Sequence, residues 1–298
     1  MRLGYPCISR LLGRTTNHEC TLRLATPERL RGLIAQNLTD LRAILSHNLQ
    51  NGWLLFRIGS SVIPFGSHPV NQVAWWREFR ADLVEIGAFV RANDMRLSFH
   101  PGQYTILNAP DPAVVARAVE EIAYSARFLD ELGLDSAHKI VIHLGGVYGD
   151  KAAAMSRFVE VTRALNPALR ARLVIENDER SYTPADALAV SSQTGLPVVF
   201  DNLHYQANPG PGDLDDLLAR VVATWKSTDG PPKVHFSSQS PGGRTGNHAD
   251  YADPREFADW TSRWARQGDF DLMLEAKAKD QALQQLRLPD QSPPVLLS

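Results

Sequence analysis

Eight short runs rich in β-branched and aromatic residues recur along the chain, and helix-patterned segments separate them. The runs cover residues 2–6 (RLGYP), 53–58 (WLLFRI), 96–100 (RLSFH), 139–144 (KIVIHL), 172–177 (RLVIEN), 197–202 (PVVFDN), 232–237 (PKVHFS) and 271–276 (DLMLEA). Segments such as 27–45, 71–93, 112–132 and 150–165 space their apolar residues at helical intervals, which is how one buried helix face is written. Pro27 after Thr26, Pro184 after Thr183 and Pro254 after Asp253 are cap-then-proline helix starts. Parallel strands need a crossover between them, and a helix is the usual one. Eight such units predict a closed (β/α)8 TIM barrel, a single domain over residues 1–288. An open doubly wound sheet competes, but no G-x-G-x-x-G follows the first run. The end, 289–298 (PDQSPPVLLS), has three prolines and no periodicity and reads as a loose tail.

The totals fit one large core: 298 residues, 44% of them hydrophobic. Formal net charge is −2, so no global basic signal marks a nucleic-acid or membrane partner. Cys7 and Cys20 make neither a disulfide framework nor a thiolate metal cluster. The start, MRLGYPCISRLLGR, lacks the apolar stretch of a signal peptide, and no run is long enough to span a bilayer. The expectation is an intracellular monomer with no membrane partner and no nucleotide cofactor.

Barrel strands stay apolar until their last residues, which face the C-terminal mouth. Here those residues are polar. The third run ends in His100, the fourth carries His143, the fifth Glu176, and the sixth Asp201 with His204 one turn later. The seventh carries His235 and the eighth Glu275, while loops add His68 (SHP) and His248 (GNHADY). Singly, each has a plain explanation: a strand-end histidine is more often a hydrogen-bonded rim residue, and a lone glutamate fits a buried ion pair. Six of the nine histidines and three acids at one mouth do not fit that explanation together. One Zn²⁺ or Mn²⁺ takes roughly four to six ligands, so the set suits two or three ions. Mn²⁺, Zn²⁺, Co²⁺ and Mg²⁺ stay open, although many imidazoles disfavour Mg²⁺. Three divalent ions would take the formal charge from −2 to about +4, enough to attract a polyanion. His18, His47 and His138 read as surface residues.

The motifs RLGY (2–5), SFHPGQY (98–104), IVIHLGG (140–146), IENDE (175–179), FDNLHYQ (200–206), KVHFSSQ (233–239) and HADY (248–251) occur in one order. In that order they resemble the UV damage endonuclease family, TIM-barrel DNA-repair enzymes related to three-metal abasic-site endonucleases. The resemblance implies three divalent ions, Mn²⁺ foremost, held by His68, His100, His143, Glu176, Asp201, His204, His235, His248 and Glu275. It implies damaged duplex DNA as partner and a single nick 5′ to cyclobutane dimers, 6-4 photoproducts or abasic sites, leaving 3′-hydroxyl and 5′-phosphate ends. It implies that Gln103 and Tyr104 wedge into the weakened helix and that Tyr5 lines the lesion pocket. Where a relative has asparagine near the lesion, this chain has Ser9, a shorter side chain. Gln103-Tyr104 also fits an ordinary turn after His100-Pro101-Gly102.

Glu176 and Glu275 each have two oxygens and can bridge neighbouring ions, which assigns them to catalysis. In PKVHFSS, alternation puts Lys233 on the face of His235. An ammonium there is repelled by dications and desolvated, which favours the neutral amine. Such an amine can capture carbon dioxide as a carbamate, and the resemblance implies that modification at Lys233. The plainer reading has Lys233 snorkel to the barrel's base and pair with an acid. A sugar isomerase or epimerase, also a barrel with strand-end metal ligands, is the rival function. The histidine excess and the Gln-Tyr turn favour the nuclease.

Overall fold

In the computed structural model, which describes residues 1–286, each of the eight runs becomes a short parallel strand. They are Leu3–Pro6 (β1), Leu55–Arg57 (β2), Arg96–Phe99 (β3), Lys139–His143 (β4), Leu173–Glu176 (β5), Val198–Asp201 (β6), Lys233–Phe236 (β7) and Asp271–Leu274 (β8). Neighbours pair in sequence order, and β8 closes onto β1 with Leu3 opposite Leu272 and Gly4 opposite Met273. The closed barrel is the predicted one. The tail expected at 289–298 lies outside the described residues.

Helices return the chain between strands: Pro27–Gln50 (α1), Arg80–Ala92 (α2), Pro112–Glu131 (α3), Lys151–Ala164 (α4), Pro184–Thr194 (α5), Leu214–Ala223 (α6) and Pro254–Ala265 (α7). The predicted proline starts hold. Thr26 and Asp253 accept backbone N–H bonds in the first turn, and Thr183 forms a capping box with Asp186. The expected helix over 71–93 is interrupted: a turn built on Asn71 leads to a short helix, Trp75–Glu78, and α2 begins only after Phe79. No helix among the described residues is long and apolar enough to cross a membrane.

Strand alternation sorts the barrel into an outer shell and three inner layers. Outward residues such as Leu97, Phe99, Ile140, Ile142, Phe200 and Phe236 pack into the main core under the helices. Inward at mid-height, Val141, Val174 and Val199 form a separate apolar plug with Trp225. Below it, at the strands' first residues, Arg96 pairs with Asp271 at 2.8 Å and Lys139 with Asp229 at 2.5 Å. Above it, the last inward residues open to the mouth. Gly4 permits closure, since a Cβ there would sit 1.8 Å from the Leu55 carbonyl oxygen of the adjacent strand.

Three histidines correct the surface reading. His138 is buried, and its Nδ1 accepts the Leu97 N–H at 3.0 Å. His18 is half-buried with Nε2 2.8 Å from Asp40, and His47 is half-buried edge-on to Trp53. His138 and His18 meet partners 41 and 22 residues away, so local context carried no sign of them.

Candidate metal centre

The upper layer converges on Glu176. This carboxylate is 1% exposed, and its two oxygens face different histidines. Oε2 lies 3.0 Å from His100 Nε2 and 3.6 Å from His143 Nε2; Oε1 lies 2.7 Å from His235 Nδ1 and 3.8 Å from His204 Nδ1. Strand register explains the meeting, with His143 beside Glu176 and Asp201 beside His235. Three sets of side chains bring ligand atoms within 4.8 Å of one another: His100–His143–Glu176, Glu176–Asp201–His204 and Glu176–His235–Glu275. Glu176 belongs to all three.

The donor chemistry fits divalent cations. Buried His100 Nδ1, His143 Nδ1, His235 Nε2 and Asp201 Oδ2 lack hydrogen-bond partners, although such atoms are ordinarily satisfied. Other ring nitrogens are fixed by the backbone. His204 Nδ1 donates to the Asn177 carbonyl at 3.0 Å and His248 Nδ1 to that of Glu275 at 2.7 Å, so each ring turns its Nε2 away from that bond. That is how outer groups orient an imidazole toward a metal. Electrostatics divide the histidines. Burial lowers the His100 pKa to about 4, favouring the neutral ligand form. Burial also opposes charge on His204, but Asp201, Glu176 and Glu275 outweigh it and raise that pKa to about 9. Burial would raise Glu176, yet His235 and His143 hold it well below the carboxylate range.

Of the nine expected ligands, seven fall in these sets and two do not. His248 sits beside them, its ring 6.4 Å from that of His204. His68 is exposed on the rim of a cleft of about 440 Å³ lined by Trp75, Trp76 and Arg127, and its Nδ1 accepts the Val70 N–H at 3.1 Å. Two neighbours went unnamed in the sequence reading. Arg57 ends β2 as the ligands end their strands, and its Nη1 lies 2.5 Å from Glu275 Oε1. Glu179, in the IENDE motif, approaches His204 Nε2 at 3.9 Å. The strand-end rule that marks the ligands applies equally to Arg57, a cation in the last position of β2.

Lys233 points into the barrel and is fully buried, and its Nζ has no hydrogen-bond partner. It does not snorkel to an acid. Burial, reinforced by Arg96, holds its pKa well below the ordinary lysine value. Tyr104 is 82% exposed and Gln103 is exposed beside it, on the loop after β3 at the mouth. Tyr5 and Ser9 differ from the expectation of lesion contact. Tyr5 faces α1, donates its hydroxyl to Asn48 at 2.7 Å and has no exposed surface, because the inward position of β1 falls on Gly4. Ser9, also buried, donates to Asp280 within a small ribbon that pairs Ile8–Ser9 with Arg14–Thr15.

The profile of the family described as UV-endonuclease UvdE matches residues 1–293. A UV DNA damage endonuclease of Clostridium perfringens is 39% identical over 285 residues, 94% of this chain and 68% of that protein. Another, from Bacillus velezensis, is 37% identical over 280 residues, 92% of this chain and 87% of its own length. The crystal structure of SacUVDE superposes with a TM-score of 0.90 at 36% identity, covering 96% of both chains. Endonuclease IV from Thermus thermophilus, with a TM-score of 0.55 at 16% identity over 83% of this chain and 93% of its own, shares the fold alone.

Proposed function

The chain belongs to the UV-endonuclease UvdE family, and from that membership we propose that it nicks damaged duplex DNA by metal-dependent phosphodiester hydrolysis. The cut falls immediately 5′ to cyclobutane dimers, 6-4 photoproducts or abasic sites and leaves 3′-hydroxyl and 5′-phosphate ends. The observation that carries the reading is the convergence of three ligand sets on Glu176 at the barrel mouth, with a buried polar atom left unpartnered on each of His100, His143, His235 and Asp201. Three divalent ions, Mn²⁺ foremost, are assigned to these sets, with His248 and His68 completing the outer positions.

These residues would hold divalent ions, whose chemistry there would be water activation at neutral pH and cancellation of charge on the phosphate. Glu176 presents one oxygen to each side of the cluster and so spans neighbouring positions. Arg57 occupies one oxygen of Glu275, fixing that carboxylate's orientation while keeping it ionised. Recognition rests on deformability: a dimer or abasic site stacks poorly, so opening the helix there costs less. Tyr104, already exposed, fills the gap with an aromatic face, and Gln103 supplies polar contacts beside it. Lys233 is assigned as a carbamate, which would convert its unpartnered buried amine into an anionic group. An electron-density map at good resolution checks this, supported by intact mass under mild conditions: a carboxylate on Nζ is expected, and a bare Lys233 ammonium directed away from the ligand sets would refute it.

The test is nicking of UV-irradiated supercoiled plasmid with Mn²⁺, against an unirradiated control. Relaxation of irradiated plasmid alone is expected. Inertness on both, with epimerisation of a ketose instead, would replace the proposal with the sugar-enzyme reading.

A further inference from the structure

Beside the ligand sets, where β8, β1 and β2 meet, the mouth has a different character. The Cys7 N–H binds the Arg57 carbonyl at 2.8 Å, joining the ends of β1 and β2, and Arg57 leans on Glu275. Lys279 enters this corner from the loop after β8. Its backbone, φ 59° and ψ −123°, has the first central geometry of a type II′ turn, and the Gln281 N–H closes the turn on the Ala278 carbonyl at 3.1 Å. That position belongs to glycine; an L side chain there costs roughly 1–3 kcal/mol of backbone strain.

The turn itself does not need lysine. It places Asp280 beneath the ribbon, where the carboxylate accepts the Arg10 N–H at 2.7 Å, the Leu11 N–H and the Ser9 hydroxyl. Glycine at 279 would serve that purpose without strain. What lysine adds is an ammonium. It is half-buried and makes no hydrogen bond or ion pair among the described residues. It lies within electrostatic reach of Arg57, Cys7, Glu275 and Arg10. Arg57 is committed to Glu275; Lys279 is not committed to anything.

We propose that Lys279 is a phosphate-holding residue, contacting a backbone phosphate of the DNA on the β8–β1 side of the metal centre. This inference rests on the endonuclease reading and adds a contact to it. Arg57 takes one oxygen of Glu275 on this side, so phosphate charge here falls to protein side chains. Partial burial disfavours the ammonium while it lacks a partner, and an anion removes that penalty.

The experiment measures binding of the Mn²⁺-loaded protein to a duplex oligonucleotide with one abasic site, by fluorescence anisotropy across about 50 to 200 mM salt. Loss of one phosphate contact lowers the slope of log affinity against log salt by about 0.9 and weakens binding about eightfold near 0.1 M salt. Lys279→Met and Lys279→Gly should both show this, with the glycine variant melting higher than wild type because the strained turn relaxes. Lys279→Arg should keep the wild-type slope. Wild-type slope and affinity in both the Met and Gly variants, with nicking of irradiated plasmid intact, would overturn the phosphate contact alone. A wild-type protein that neither binds nor nicks damaged DNA would overturn the endonuclease reading and this contact with it.

Discussion

Acid stability of the fold should depend on His138, far from the chemistry. Its ring is 9% exposed at the barrel's base, accepts the Leu97 N–H, and has a pKa near 3 against an ordinary 6.5. Burial is the largest cause; Asp135 opposes it, and Arg96 and Arg172 add to it. The folded state therefore keeps His138 neutral while the unfolded chain takes up a proton. This contribution is complete above pH 6.5 and is lost as pH falls toward 3. Linkage over that window removes about 2 kcal/mol by pH 5 and about 4 kcal/mol by pH 3.5. His138→Asn keeps an acceptor for Leu97 and cannot titrate. Urea unfolding of metal-free protein at neutral pH and near pH 5 should show the wild type's advantage over the variant shrinking by about 2 kcal/mol. Contributions from the other histidines cancel in the difference. Equal advantages at the two pH values would mean that the ring is not held neutral and that the burial argument fails.

Replacing Glu176 with Gln keeps the shape but removes the charge shared by all three ligand sets, so bound metal and nicking should both fall sharply while metal-free thermal stability stays within a few degrees; metal analysis and a melting curve on one preparation decide this. Gln103→Ala combined with Tyr104→Ala should lose nicking of dimer-containing DNA with metal content unchanged, and undiminished nicking would make the exposed pair an ordinary turn. Ser9→Ala should cost about 1–2 kcal/mol in urea unfolding, because buried Asp280 loses a donor, with no change in preference between dimer and abasic substrates. A changed preference without a stability cost would return Ser9 to the lesion pocket.

Strand-end positions made most of the centre legible. Inward and outward faces alternate, so KIVIH and KVHF specify both the apolar outer shell and the residue delivered to the mouth. Glu176 as common member of the three sets was less legible, because it depends on register between β4, β5, β6 and β7. Tyr5 shows the limit of motif transfer: RLGY places a tyrosine at the end of β1, but Gly4 holds the inward position, which turns the ring toward α1. Arg57 and His138 needed partners far along the chain, Glu275 and Leu97, which no local pattern announces. Ser9 and Asp280 are likewise 271 residues apart.

If the residues around Glu176 hold divalent ions for hydrolysis beside a lesion, cleavage needs both metal and damage. An end-labelled duplex with a single cyclobutane dimer, incubated with metal-stripped protein and then with added Mn²⁺, tests it at nucleotide resolution. One Mn²⁺-dependent product is expected, ending in a 3′-hydroxyl immediately 5′ to the dimer, and none from the undamaged duplex. Equal cleavage without metal, or a cut placed without regard to the dimer, would contradict it.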